Sequence, residues 1–161
     1  MEIEVFDGVA AIAMGDTLLT LWQAPARSAR IRRVTELTAA LLERTSGTIV
    51  ACQFLLPTAS PPRLRERADI SAGLDVVLPR ARRLVTTPLG DAAWQSVVRA
   101  VMRAGIAIIG KAKLVKVASD PASAFDLLGQ VASDASPDRA SLERALDALH
   151  GALGVPSARS A

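Results

Sequence analysis

The chain has 161 residues, 50% of them hydrophobic and 22% charged, with a formal net charge of +3 at pH 7. That suffices for the core of one compact domain and excludes an intrinsically disordered chain. A single cysteine, Cys52, and a single histidine, His150, exclude an intramolecular disulfide and any multi-Cys or multi-His metal centre.

Glu2-Ile-Glu-Val-Phe6 alternates polar and apolar residues, as a half-buried strand does. Asp7-Gly8 is a two-residue hairpin signal, and Val9–Met14 returns as a second strand. Gly15-Asp16 turns again, and Thr17–Trp22 forms either a third strand or an irregular extension of the second. From Ala26 the period becomes helical, with Ile31, Val34, Leu37, Leu41 and Leu42 on one face, and Ser46-Gly47 ends that helix. Thr48–Leu56 is almost continuously apolar, the pattern of a parallel strand covered on both faces. Cys52 lies inside it and is expected to be a small buried hydrophobe.

The turn Pro57-Thr58-Ala59-Ser60-Pro61-Pro62 follows. A second helix is expected directly after Ser60, with the Ser60 hydroxyl as cap, a proline in the first turn and Leu64, Ala68, Leu74 and Leu78 as a weak apolar stripe. Gly73 is expected to interrupt it. Ala81–Thr87 reads as a strand, stopped by Pro88. Asp91 caps a third helix with Trp94, Val97, Val98, Val101, Met102 and Gly105 on one face and Ile106–Ile109 at its end. This is the strongest amphipathic signal in the chain. Lys111–Val117 alternates charge and apolar groups as an edge strand does. Asp120-Pro121 opens a fourth helix carrying Phe125, Leu128 and Ala132. After the polar linker 133–137, Ser136-Pro137-Asp138 opens a fifth with Leu142, Ala145, Leu146, Leu149 and Leu153.

Strands alternating with helices after a leading hairpin give an α/β fold. The expected sheet is mixed, with four to five strands, and packs with about four helices; an extra C-terminal helix follows. The expected division is an α/β domain at 1–132, a helical extension at 136–154 and a frayed tail at 155–161. The N-terminus carries Glu2, Glu4 and Asp7 without leading basic residues, so no signal peptide is expected. No apolar run approaches the roughly 18–20 residues of a membrane span, and a cytoplasmic location is expected.

No G-x-S-x-G elbow, phosphate-binding loop or G-x-G-x-x-G is present, and no carboxylate pair has a spacing that calls for catalysis. No enzyme activity, cofactor or metal is expected. Arginines cluster at Arg27, Arg30, Arg32 and Arg33, at Arg63, Arg65 and Arg67, and at Arg80, Arg82 and Arg83. Glu36, Glu43, Glu66 and Asp69 interleave with them and stacking aromatics are few, which favours solvated helix faces over a nucleic-acid interface. His150 is expected on the surface.

The element order and the strand-turn-helix at 48–67 resemble the STAS, or SpoIIAA-like, domains, which include bacterial anti-sigma-factor antagonists. The resemblance covers about Glu2 to Ala132. It implies a non-enzymatic interaction domain that docks a protein partner, such as a regulatory kinase or an anti-sigma-like factor, through the second helix and its preceding loop. Arg63, Arg65 and Arg67 become the candidate partner contacts. In that family the loop carries an Asp-Ser-Ser-Gly-Leu-like motif whose serine is phosphorylated. The corresponding hydroxyls here are Ser60 and Thr58. The motif's Asp and Gly are absent, and Pro61 and Pro62 remove two N–H donors, which argues against a working phosphoswitch. The alternative is a small-molecule or lipid-binding module, with Ile106–Ile109 lining a cleft. The stripe Leu142, Leu146, Leu149 and Leu153 must be covered either by the chain's own sheet or by a second copy in a homodimer.

Overall fold

The computed structural model describes residues 2–45, 47–110 and 113–157, the side chains of residues 108–109 excepted. It is an α/β fold with a mixed six-stranded sheet in strictly sequential order, β1-β2-β3-β4-β5-β6. The strands are β1 (Ile3–Phe6), β2 (Val9–Met14), β3 (Thr17–Trp22), β4 (Ile49–Leu55), β5 (Ala81–Pro88) and β6 (Val115–Val117). The first two pairings are antiparallel and the remaining three parallel. Asp7 and Gly8 both take positive φ, 52° and 78°, which is the conformation the Asp-Gly hairpin signal calls for.

Helices α1 (Ser28–Arg44), α2 (Arg67–Val77) and α3 (Ala92–Ile109) make the three parallel crossovers. Right-handed crossovers in a sequentially ordered sheet put all three on one face. Helices α4 (Pro121–Gly129) and α5 (Arg139–Ala152) cover the other. Beneath α4 and α5 lies the largest apolar cluster, with Ala10, Ile12, Leu19, Leu21, Val50, Cys52 and Phe54 from the sheet and Phe125, Leu128, Leu142, Leu146 and Leu149 from the helices. Phe54 and Phe125 meet edge to face, with centroids 5.9 Å apart. Two smaller clusters lie on the opposite face, around Leu18, Leu41 and Ile49 and around Val9, Trp22 and Ile31.

Several expectations are corrected. Helix α2 does not begin after Ser60. A residue before proline is held extended, so Ser60 and Pro61 carry the chain onward. The first turn is a 3₁₀ segment at Leu64–Glu66, with Arg63 extended at φ −79° and ψ 169° before it. Gly73 does not interrupt α2. It lies close against α1, where an added Cβ would lie 2.6 Å from Thr35 Oγ1. The edge strand is short, because Lys113 and Leu114 are taken up in a turn before Val115, while residues 111 and 112 lie outside the described set, as do Ser46 and residues 158–161 of the expected tail. The cap of α5 is Asp138, accepting from Ser141 N at 2.7 Å, and the helix starts at Arg139. Ser136 is engaged elsewhere. Ala132 is exposed beyond the end of α4.

The apolar stripe of α5 is covered by this chain. Leu142, Leu146 and Leu149 are buried against the sheet, and Leu153 packs at the edge of the same cluster. Their candidacy as an oligomer contact is thereby corrected. Expected as an extension beyond the α/β unit, α5 shares one core with β1, β2, β3 and α4.

Candidate functional site

The parallel strands β3, β4 and β5 end together, and the loops that leave them form one edge of the molecule. This edge is where an open α/β sheet presents groups to a ligand or partner. The β4–α2 loop is pinned there by backbone and apolar contacts. Leu56 N donates to Trp22 O at 3.0 Å and Ala59 N to Leu56 O at 2.8 Å. The Ala59 side chain, 4% exposed, plugs the cluster formed by Val9, Trp22 and Ile31. Ala26 N, just ahead of α1, donates to Ser60 O at 3.4 Å. The neighbouring β5–α3 loop is locked against it. Trp94 Nε1 donates to Leu55 O at 3.2 Å. Gly90, at φ 157°, has no room for a Cβ, which would lie 2.8 Å from Pro57 Cγ.

Within this rigid edge the candidate hydroxyls are placed differently from each other. Thr58 is exposed at the tip; Ser60 is half-buried. The Ser60 hydroxyl makes no hydrogen bond among the described residues and does not cap α2, which corrects the capping expectation. Glu66 closes the 3₁₀ turn ahead of α2. Its carboxylate, 1% exposed, accepts from Arg63 N at 2.8 Å and from Arg65 Nε at 3.0 Å. Burial pushes the Glu66 carboxyl up. The hydrogen bonds from Arg65 and Arg63 and the nearby charges of Arg65 and Arg27 outweigh that and hold it below its ordinary value.

This clamp turns the flanking side chains outward. Arg63, Leu64, Arg65 and Arg67 are all exposed. Arg65 is paired with Glu66, while Arg63 and Arg67 have no ion-pair partner among the described residues. Leu64, expected on the inner stripe of the helix, is 74% exposed, more than any other large apolar residue described. A periodicity count assigns it inward only if the helix starts at Pro61 or Pro62. The later start leaves it in the 3₁₀ segment, off the stripe of α2.

The other arginine groups are largely engaged. Arg32 bridges to Asp69 across α1 and α2 at 3.4 Å, Arg33 to Glu4 at 2.6 Å and to Glu36 at 2.8 Å, and Arg30 to Asp7 at 3.7 Å. Arg80 donates to the carbonyls of Thr45 and Gly47 at 2.8–3.1 Å.

A second polar cluster lies on the opposite edge. Asp16, 3% exposed in the β2–β3 turn, accepts from Ser133 Oγ at 2.7 Å, from Ser136 Oγ at 2.9 Å and from Thr17 Oγ1 at 3.1 Å, and it pairs with Arg82. Burial pushes this carboxyl up. The Ser133, Ser136 and Thr17 hydroxyls and the Arg82 charge more than offset it, leaving Asp16 below the usual carboxylate range. The cluster staples the α4–α5 linker to the sheet. Gly15 permits the approach: its φ is 55°, and an added Cβ would collide with Ala135 O. Sequence reasoning missed this set because Arg82, Ser133 and Ser136 stand 66, 117 and 120 residues from Asp16.

Cys52 is buried in β4 beside Thr87, with Sγ 3.8 Å from Oγ1. Burial pushes its thiol up to about 12 despite that contact, so it is not a nucleophile at neutral pH. His150, expected on the surface, is 3% exposed on α5, and neither ring nitrogen has a hydrogen-bond partner. Among the described residues no His, Cys, Asp or Glu group could hold a metal ion, and no helix is long and apolar enough to cross a membrane.

No family of known proteins, no curated protein and no solved structure matches this chain.

Proposed function

We propose that the chain is a non-enzymatic docking domain of the STAS-like kind, engaging a protein partner through Arg63, Leu64 and Arg67. One observation carries the reading: Leu64 is 74% exposed between two exposed arginines that have no ion-pair partner among the described residues, on a loop held rigid from beneath. A large apolar side chain ringed by arginines, presented without reorganisation, is the make-up of a binding hot spot. The complementary surface is acidic around an apolar recess. A regulatory kinase or an anti-sigma-like factor with such a surface fits the resemblance to antagonist domains.

The test is affinity capture from the native host with matched variants. The expected result is one partner retained by the wild type, lost at least about tenfold with Leu64→Asp and weakened with Arg67→Glu. Melting temperatures should stay unchanged, because both side chains are solvent-exposed. A partner retained equally by all three proteins overturns the reading. Phosphorylation at Ser60 or Thr58 would add negative charge to the same loop and repel an acidic partner. Intact-mass measurement on protein from the host, showing both hydroxyls always free, removes that switch.

A further inference from the structure

The sheet has two ends, and they are finished differently. At one end β6 is three residues long, with Lys116 within it and Lys113 just ahead. A short edge strand bearing lysine is guarded against pairing with another chain. At the other end β1, Ile3-Glu4-Val5-Phe6, has no lysine, proline or bulge, and its register with β2 is unbroken. Its charged residue, Glu4, is turned onto α1 and bridged by Arg33 at 2.6 Å. Helix α5 lies mainly over β2 and β3, and Val5 is left 50% exposed. The Asp7-Gly8 turn decides which backbone groups are free. A two-residue turn makes Phe6 and Val9 a hydrogen-bonded pair, so Phe6 and Glu4 bond to β2. The N–H and C=O groups of Ile3 and Val5 therefore point away from the sheet, without a partner among the described residues.

We propose that β1 pairs antiparallel with β1 of a second copy of this chain, across a two-fold axis at Val5, joining the two sheets into one. Self-complementarity selects this occupant. Centred on Val5, the two Val5 residues exchange both backbone hydrogen bonds, and their half-exposed side chains meet on the α5 side of the sheet. On the α1 side Glu4, still bridged to Arg33, faces Phe6 of the second copy, which sets an aromatic ring beside a guanidinium. The neighbouring register, centred on Glu4, opposes two carboxylates in the closer, non-hydrogen-bonded pair and is disfavoured. The paired segment is short, so the dimer is weak and forms with rising concentration. The leucine stripe of α5 has no part in it.

The experiment is sedimentation velocity on the full chain from roughly 10 μM to 1 mM. The mass should rise from that of one chain toward that of two. Val5→Lys should weaken association at least about tenfold by opposing two ammonium groups across the axis, and Val5→Glu should do the same with carboxylates. An equimolar mixture of the two variants should associate again, because each lysine then meets a glutamate. Hydrogen exchange on the wild type needs no variant: the Val5 amide should gain protection as concentration rises. A chain that stays monomeric at about 1 mM overturns the proposal, whether or not an extended segment of another protein adds to β1. So does a dimer that persists in Val5→Lys, which puts the contact on another surface such as Val76, Val97 and Val101, and so does a variant mixture that stays monomeric. Leu64→Asp should associate as the wild type does, which separates this edge from the docking loop, so either can fail alone.

Discussion

On the α4–α5 face of the sheet, the residues that meet the helices are nearly all aliphatic or aromatic, and Ile12, Leu19, Leu21, Phe54 and Leu149 are each no more than 1% exposed. On the α1–α2–α3 face, the apolar residues split into two smaller clusters, and a polar row crosses the sheet between them. Thr20, Gln53 and Thr86 are register neighbours there; Gln53 Nε2 donates to Thr86 Oγ1 at 2.6 Å and Trp22 Nε1 to Thr20 Oγ1 at 3.1 Å. The helices on that face also leave apolar side chains in water: Val76 is 44% exposed, Val97 48% and Val101 44%. One face is arranged for burial. The other trades burial for presented surface, and the docking loop is at its edge.

The comparison breaks if truncations on the two faces cost the same. Leu149→Ala should destabilise by about 2–5 kcal/mol in chemical denaturation, whereas Val97→Ser and Val101→Ser should stay within about 0.5 kcal/mol. The staple that closes the buried face is the next most sensitive point. Gly15→Ala places a Cβ against Ala135 O at a φ of 55°, and roughly 2–4 kcal/mol of lost stability is expected. Asp16→Asn should cost about 1.5–3 kcal/mol at neutral pH, since it discharges an acceptor that serves three hydroxyls and Arg82.

The pH dependence of that last effect has a definite sign. The folded Asp16 carboxyl titrates below its unfolded value of 3.8. Its contribution is therefore fully present above that value and is lost as pH falls through the lower folded one. Denaturation midpoints of wild type and Asp16→Asn should differ at pH 7 and converge in acid. Midpoints that differ equally at both pH values would remove the ionised carboxylate from the account. The smallest effects belong to the helix caps. Asp91→Ala and Asp120→Ala remove acceptors bonded to Trp94 N at 2.9 Å and Ser123 N at 2.7 Å, and each should cost about 1 kcal/mol in thermal denaturation.

What was legible in the sequence was what depends on near neighbours. The Asp7-Gly8 hairpin, the caps Asp91 and Asp120 and the doubly covered strand around Cys52 each follow from a few adjacent residues. The errors share another origin. Leu64 faces outward because the two prolines delay α2 to Arg67 and leave Leu64 in the 3₁₀ segment ahead of it, off the stripe that an α-helical period counts. Asp16 looked like a turn residue because Ser133, Ser136 and Arg82 reach it only after the whole sheet has formed. His150 is buried because α5 folds back onto the sheet, a choice the leucine stripe left open. The docking loop was found by its place in the element order; its central residue was assigned to the wrong side.

The sequential strand order has a kinetic consequence. Each new strand can add to the growing edge as it emerges during synthesis, with no wait for a later partner. The covering of the first three strands is different, since Ala10, Ile12, Leu19 and Leu21 meet α5, the last helix. Backbone pairing can thus proceed vectorially, while the apolar side of the earliest strands stays open until the chain has passed Leu149. Loops of that span are slow to close and leave a sticky intermediate meanwhile. Ribosome-arrested chains of increasing length should stay protease-sensitive until α5 has cleared the exit tunnel, then become resistant in a single step; gradual protection strand by strand would refute that order of events.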